Sequence, residues 1–135
     1  MLLLIPACAM IGKTTREETS SEPDYTVHSV QRGMASWYSI KTNFGTATAS
    51  GERLRNHAAT AAHKTLPMGT MVRVTNQTNG KSEIVRINDR GPYIKGRIID
   101  LTVGCANRLG FLNRGIVPVK VEVLDKAGDE DEDEN

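Results

Sequence analysis

The chain has 135 residues, and its formal charge of +1 is the balance of 17 Lys and Arg against 16 Asp and Glu. That length suits one domain and excludes a two-domain enzyme, while two Phe, three Tyr and one Trp are too few for the base-stacking platforms of a single-strand nucleic-acid binder. The charge is unevenly spread: residues 1–29 carry two bases and four acids (−2), residues 30–126 fifteen bases and six acids (+9), and residues 127–135 six acids and no base (−6).

The chain opens on MLLLIPACAM, an apolar run of ten residues, about half the roughly 20 that span a bilayer. Within it Ile5-Pro6-Ala7-Cys8 resembles the end of a bacterial lipoprotein signal over residues 1–8, with an aliphatic residue at −3, a small one at −1 and Cys8 as the lipidation candidate. The basic segment that normally precedes such a signal is missing, so a short apolar tail with Cys8 as an ordinary thiol stands as the alternative. Residues 9–29, rich in Thr, Ser and Glu, are expected to form a disordered tether, with the folded domain over 30–126. The like-charge block at 127–135 is expected to be a disordered acidic tail.

Between the tails, short β-branched segments at 33–38, 70–75, 81–88, 97–101 and 117–124, separated by Gly, Pro and Asn, predict five or six strands. The last alternates strictly, with Val117, Val119, Val121 and Val123 on one face and Pro118, Lys120 and Glu122 on the other, as a half-buried strand requires. One helix is expected over 103–109, with Thr102 as N-cap and Gly110 as a left-handed C-terminal cap. Short strands with little helix suggest a small closed barrel, which leaves no exposed sheet edge. Cys105, in an apolar stretch, reads as a small buried hydrophobe, and no Cys or His spacing suits a metal.

Three acids in the basic middle have unusual surroundings. Glu52 follows Ser50-Gly51, so a turn presents its carboxyl; a solvated surface Glu is the plain alternative. Asp89 ends an apolar strand and precedes Arg90-Gly91-Pro92, where the chain must turn. It either caps that turn or, paired with Arg90, serves as an ionised base or electrostatic stabiliser. Asp100, between Ile99 and Leu101, needs a partner in so apolar a strand, and Arg97 or the helix start is the expected one. His63 follows a run of small residues and is placed to orient a carboxylate, contact substrate or fill the core.

Taken in order, GMASWY over 33–38, TASGE over 48–52, TAAHKTLPMGT over 60–70, VRVTN over 72–76 with Asn79-Gly80, VRINDRGP over 85–92 and IIDL over 98–101 resemble the rare lipoprotein A family of bacterial lytic transglycosylases. The resemblance implies a mainly β fold, a single six-stranded double-psi β-barrel with one or two short helices. It further implies that Glu52 and Asp89 are catalytic acids, that His63 is a third active-site residue and that Asp100 is a supporting barrel acid. Arg90, Trp37 and Tyr38 are the expected substrate-binding residues. The implied reaction cleaves the MurNAc-β-1,4-GlcNAc bond of peptidoglycan without water and leaves a 1,6-anhydro sugar. No cofactor or metal is expected. In the expected division of labour, Glu52 is the general acid, its pKa raised by a partly apolar cleft, and Asp89 stabilises positive charge or accepts the proton.

Two departures from the family pattern lie away from the acids: Ser39 stands where Gly is usual and Cys105 where a small Ala is usual. Many members also carry a sporulation-related repeat domain that this sequence lacks, so septal targeting is not expected. The implied setting is the bacterial cell envelope, periplasmic and lipid-anchored to the outer membrane if Cys8 is modified, with a monomer acting on glycan strands. An expansin-like module that binds and loosens glycan without cutting it is the competing reading, because one barrel serves both. Nucleic acid is not an expected partner, since basic residues without a recognition motif provide only salt-sensitive phosphate affinity.

Overall fold

The computed structural model describes residues 24–39 and 46–126; the segment resembling a lipoprotein signal with Cys8, residues 9–23 of the expected tether and the expected acidic tail lie outside them. Its elements in chain order are β1 (Tyr25–Tyr38), β2 (Thr60–His63), β3 (Met71–Asn76), β4 (Ser82–Asp89), β5 (Arg97–Thr102), α1 (Val103–Arg108) and β6 (Ile116–Lys126). The strands close into a barrel in the order β1-β5-β2-β4-β3-β6, the expected six-stranded double-psi barrel. β1 runs parallel to β5 and β2 parallel to β4, whereas β2 with β5, β3 with β4 and β3 with β6 are antiparallel.

Alternation places the core. Val117, Val119, Val121 and Val123 on β6, Val72 and Val74 on β3, Val85 and Ile87 on β4, Ile99 and Leu101 on β5, Ala35 on β1 and Ala61 on β2 all point inward and are buried. Each larger side chain among them contributes about 1.5–3 kcal/mol over remaining in water. Cys105, Ala106, Leu109 and Phe111 extend the same cluster from α1 and the loop after it.

Helix α1 begins where Thr102 leaves the strand: its hydroxyl accepts the Cys105 N–H at 3.2 Å and donates to the Ala58 carbonyl at 2.7 Å. One group thus caps the helix and ties it to the loop at 56–58. Gly104 permits that approach, since a Cβ there would lie 2.7 Å from His57 Cα and 3.0 Å from the Asn56 carbonyl oxygen. At the other end, the Asn76 and Asn79 amides both donate to the Leu109 carbonyl.

Two expectations need correction. β2 was not among the expected strands: its four residues, Thr60 to His63, are all buried and show no alternation, so the strand is defined by β4 and β5 on either side. β1 starts at Tyr25, inside the segment assigned to the tether. Its exposed first half gains order from β6, where His28 Nδ1 lies 3.3 Å from a carboxylate oxygen of Asp125. Apolar content, the basis for the tether boundary, does not register such polar contacts.

Candidate functional site

Strand register assembles the site. Ser36 on β1 lies opposite Asp100 on β5, Asp100 opposite Ala62 on β2, and Ala62 opposite Asp89 on β4. Directly opposed residues share a face, so these four form one row on the outside of the barrel, with the core residues Ala35, Ile99, Leu101 and Ala61 between them in sequence. At about 4.8 Å per strand, the backbones of Asp100 and Asp89 stand roughly 10 Å apart across Ala62. A bulge completes the row. Ala61 opposes Ile87 but Ala62 opposes Asp89, so β4 carries one extra residue at Asn88. In unbroken register Asp89 would turn toward the core; the bulge brings it onto the face that Arg86 and Asn88 already occupy.

Glu52 arrives from a loop. The turn from Thr48 closes with Gly51 N–H donating to the Thr48 carbonyl at 2.9 Å, and Gly51 has φ +92°, a conformation that strains any other residue. The Thr48 hydroxyl donates to the Glu52 carbonyl at 2.6 Å, and buried Leu54 anchors the loop. The Glu52 carboxylate then meets Arg86 fork to fork, with both oxygens 2.9 Å from guanidinium nitrogens, and accepts a third bond from the Asn88 amide at 3.1 Å. The hydrogen bonds from Arg86, then from Asn88, hold its pKa down at about 2. This overturns the expected raised pKa. Glu52 is a fixed anion, since its cleft is lined by donors and not by apolar groups.

Asp89 is held through one oxygen. Its Oδ1 accepts the Ala49 N–H at 2.8 Å and the Arg90 N–H at 2.9 Å, and Oδ2 takes no hydrogen bond among the described residues. The expected side-chain pairing with Arg90 does not form: that guanidinium donates to the carbonyls of His63 (3.2 Å) and Leu66 (2.8 Å) and straps the loop after β2. Asp100 is half-buried, and Ser36 Oγ donates to it at 2.6 Å. Burial pushes its carboxyl above the ordinary range, and the charge of Asp89 adds to this, against the opposing effects of Ser36 and Arg97. Its hydrogen-bond partner is Ser36, 64 residues away, and not the expected Arg97 or helix start.

His63 is 4% exposed, and both ring nitrogens are committed. Nδ1 accepts the N–H groups of Thr65 and Leu66, both at 3.1 Å, so the ring proton sits on Nε2, 2.9 Å from the Gln31 side-chain oxygen. Burial and the nearby charges of Arg90 and Lys64 lower its pKa. The imidazole organises a turn and orients none of the three carboxylates. Trp37 packs against the core and donates Nε1–H to the Leu112 carbonyl at 3.2 Å, on the opposite side of β1 from Ser36. Tyr38 shares the Ser36 side and is 7% exposed, so its ring is closed to a glycan, whereas Trp37 is partly exposed. Tyr93, four residues past Asp89, is 75% exposed, with its ring edge 3.7 Å from where a Cβ on Gly91 would sit.

Arg86, Asn88 and Ser36 belong to the site and were missed. Arg86 and Asn88 alternate with the core residues Val85 and Ile87, so period-2 reading of β4 places them on the outer face; their partner across 34 and 36 residues is not legible that way.

A family model described as lytic transglycolase matches residues 30–121. The chain is 54% identical over 94 residues to a probable endolytic peptidoglycan transglycosylase RlpA of a Nostoc species, covering 69% of this chain and 25% of that protein. It is 40% identical over 123 residues to the Synechocystis protein of the same description (91% and 37%), and 54% identical over 93 residues to the Pseudomonas aeruginosa endolytic peptidoglycan transglycosylase RlpA (69% and 27%). The chain therefore spans a quarter to under two fifths of these relatives. Among solved structures, a Streptomyces papain inhibitor aligns at TM-score 0.58 and 21% identity over 74% of this chain and 98% of its own. The expansin of Clavibacter michiganensis aligns at 0.57 and 23% over 74% and 53%. At such identities the structural neighbours establish the barrel and nothing further.

Proposed function

The chain belongs to the lytic transglycolase family, and we propose that its barrel cleaves the β-1,4 bond between N-acetylmuramic acid and N-acetylglucosamine in peptidoglycan glycan strands without water, leaving a 1,6-anhydro-muramic end. The observation that carries this reading is a pair of acids in opposite electrostatic settings, one in the outer-face row and one brought in by the loop: Asp100 is pushed toward its protonated form and Glu52 is held as an anion. Asp100 is the general acid and protonates the leaving glycosidic oxygen as the bond to the anomeric carbon breaks. Asp89, through Oδ2, takes the proton of the muramic C6 hydroxyl, whose oxygen closes onto that carbon. One proton leaves the pair and one returns. Glu52, fixed by Arg86, places negative charge beside the positive anomeric centre. The attacking hydroxyl belongs to the sugar already bound, so proximity replaces the space an inverting hydrolase keeps for water.

The basic excess over 30–126 supports an anionic substrate, and glycan freed of its peptides exposes one carboxylate per muramic acid. The reading places the protein in the bacterial cell envelope as a monomer in the periplasm, with Cys8 as its lipid anchor if modified. The test is digestion of peptide-free glycan strands followed by mass spectrometry. Anhydro-muramic ends are expected. Ordinary reducing ends would indicate hydrolysis, and no cleavage would favour a glycan-loosening module of the expansin kind; either outcome overturns the proposal.

A further inference from the structure

We propose that Arg90 is a positioning residue and not a substrate contact: its guanidinium clamps the loop after β2, and the clamp fixes the backbone N–H that aims Asp89. The inference rests on the base role proposed above for Asp89. β4 ends at Asp89, which pairs with Ala62 on β2. Beyond it no strand ladder holds the peptide that carries the Arg90 N–H, yet that N–H donates to Asp89 Oδ1 at 2.9 Å. The Ala49 N–H donates to the same oxygen at 2.8 Å. Two fixed donors on Oδ1 set the plane of the carboxylate and leave Oδ2 as the oxygen for the C6 hydroxyl.

What holds the Arg90 peptide is the side chain on it. One guanidinium nitrogen, Nη1, donates to two carbonyls of the loop, that of His63 at 3.2 Å and that of Leu66 at 2.8 Å. Those carbonyls converge because the His63 ring draws the loop into a turn, its Nδ1 accepting the N–H groups of Thr65 and Leu66 at 3.1 Å each. Nε2 is anchored in turn, 2.9 Å from Gln31 Oε1 on β1. Nδ1 accepts only while it carries no proton, and burial, with the charges of Arg90 and Lys64, favours that neutral ring. Support therefore runs from β1 through His63 to the loop, from the loop to Arg90, and from Arg90 to Asp89. Every link in it is a hydrogen bond of 3.2 Å or less.

The experiment measures kcat and KM for anhydro-end formation, together with amide hydrogen exchange, in wild type, Arg90→Met, His63→Ala, the two changes combined, and His63→Asn. Loss of the clamp misplaces the base, so kcat is expected to fall by roughly 10- to 100-fold in Arg90→Met with KM little changed. A raised KM at unchanged kcat is the mark of a substrate contact and overturns the proposal. His63→Ala is expected to act in the same way. The combined variant is expected to lose no more than about twofold beyond the slower single one, because the two residues act in one chain of support; losses that multiply overturn the proposal. Exchange at the Arg90 amide is expected to quicken by about tenfold or more in both single variants while the amides of β6 exchange as in wild type, a local change that general loss of stability would not give. Equal quickening in β6, or an unchanged Arg90 amide, overturns it. If Arg90→Met does not fold, His63→Asn decides. An Asn side-chain oxygen accepts N–H groups two and three residues on, as Nδ1 does here, so this variant is expected to keep kcat within about twofold of wild type. A loss equal to that of His63→Ala overturns the proposal. Should wild type form no anhydro ends, the catalytic reading fails by itself, and exchange at the Arg90 amide still decides whether the clamp holds.

Discussion

The loop at 46–58 and strand β5 each bring one carboxyl to the same face of the barrel, and the two are prepared in opposite ways. Glu52 comes in on a loop into a cluster of donors, with two guanidinium nitrogens and an amide around its oxygens. Asp100 sits in a strand between Ile99 and Leu101 with one serine hydroxyl for company. The first is pinned as an anion and the second is pushed toward the acid. Chemical type is thus a poor guide to role in this site, and a carboxyl's nearest donors and its exposure to water are the better one.

That contrast can be broken at its strongest point by Asp100→Asn. Without the proposed proton donor, anhydro-end formation is expected to fall by about 10²–10⁴-fold, with the melting temperature held or raised because a half-buried carboxyl becomes a neutral amide. A variant that retains near-wild-type turnover removes Asp100 from the mechanism.

Arg86→Met addresses the other side. With its main partner gone, Glu52 titrates above its wild-type value of about 2, back toward the ordinary 4.5, and activity is expected to fall by roughly tenfold as the fixed anion loses its position. The sign of the stability effect follows from the lowered pKa. The Glu52 contribution is present above pH 4.5 and is lost as pH falls toward 2, so acid unfolding of the variant should be flatter over that interval. Both side chains of the pair are about two fifths exposed, which limits the change at neutral pH to at most about 1 kcal/mol. Carboxyl NMR and melting curves at pH 7 and pH 3 check the two statements.

The smallest effect is expected from Ser36→Ala. It removes the hydrogen bond that opposes the upward push on Asp100, so the Asp100 titration and the alkaline limb of the pH-rate profile should both move to higher pH, with only a few-fold change in the maximal rate. A profile that stays in place would mean that Ser36 does not govern the acid.

Much of this architecture is legible in the chain. The alternation of Val117 to Val123 marks β6, Thr102 and Gly110 bracket α1, and Ser50-Gly51 before Glu52 announces a turned, presented carboxyl. These are local properties, in which side-chain period, cap chemistry and backbone freedom act within a few residues. β2 escapes such reading because Thr60 to His63 are uniformly buried, and a strand with neighbours on both sides and no solvent face carries no alternation. His63 escapes it differently: a histidine beside small residues is compatible with substrate contact, and only the folded loop shows Thr65 and Leu66 donating to its ring.

By itself, then, the sequence pointed to a single-domain β-barrel with a basic middle and a capped helix, and singled out Glu52 and Asp89, with Asp100 as a supporting acid, for their unusual surroundings. Only the tertiary structure decided what state each acid is in. The bulge that turns Asp89 outward depends on pairing with Ala62. The anion at Glu52 depends on Arg86, 34 residues on, and the upward push on Asp100 comes from burial, against the hydrogen bond of Ser36, 64 residues back. Proton affinity is set by the distance to charges and donors and by exclusion of water, and those quantities come into being when distant strands are brought into register.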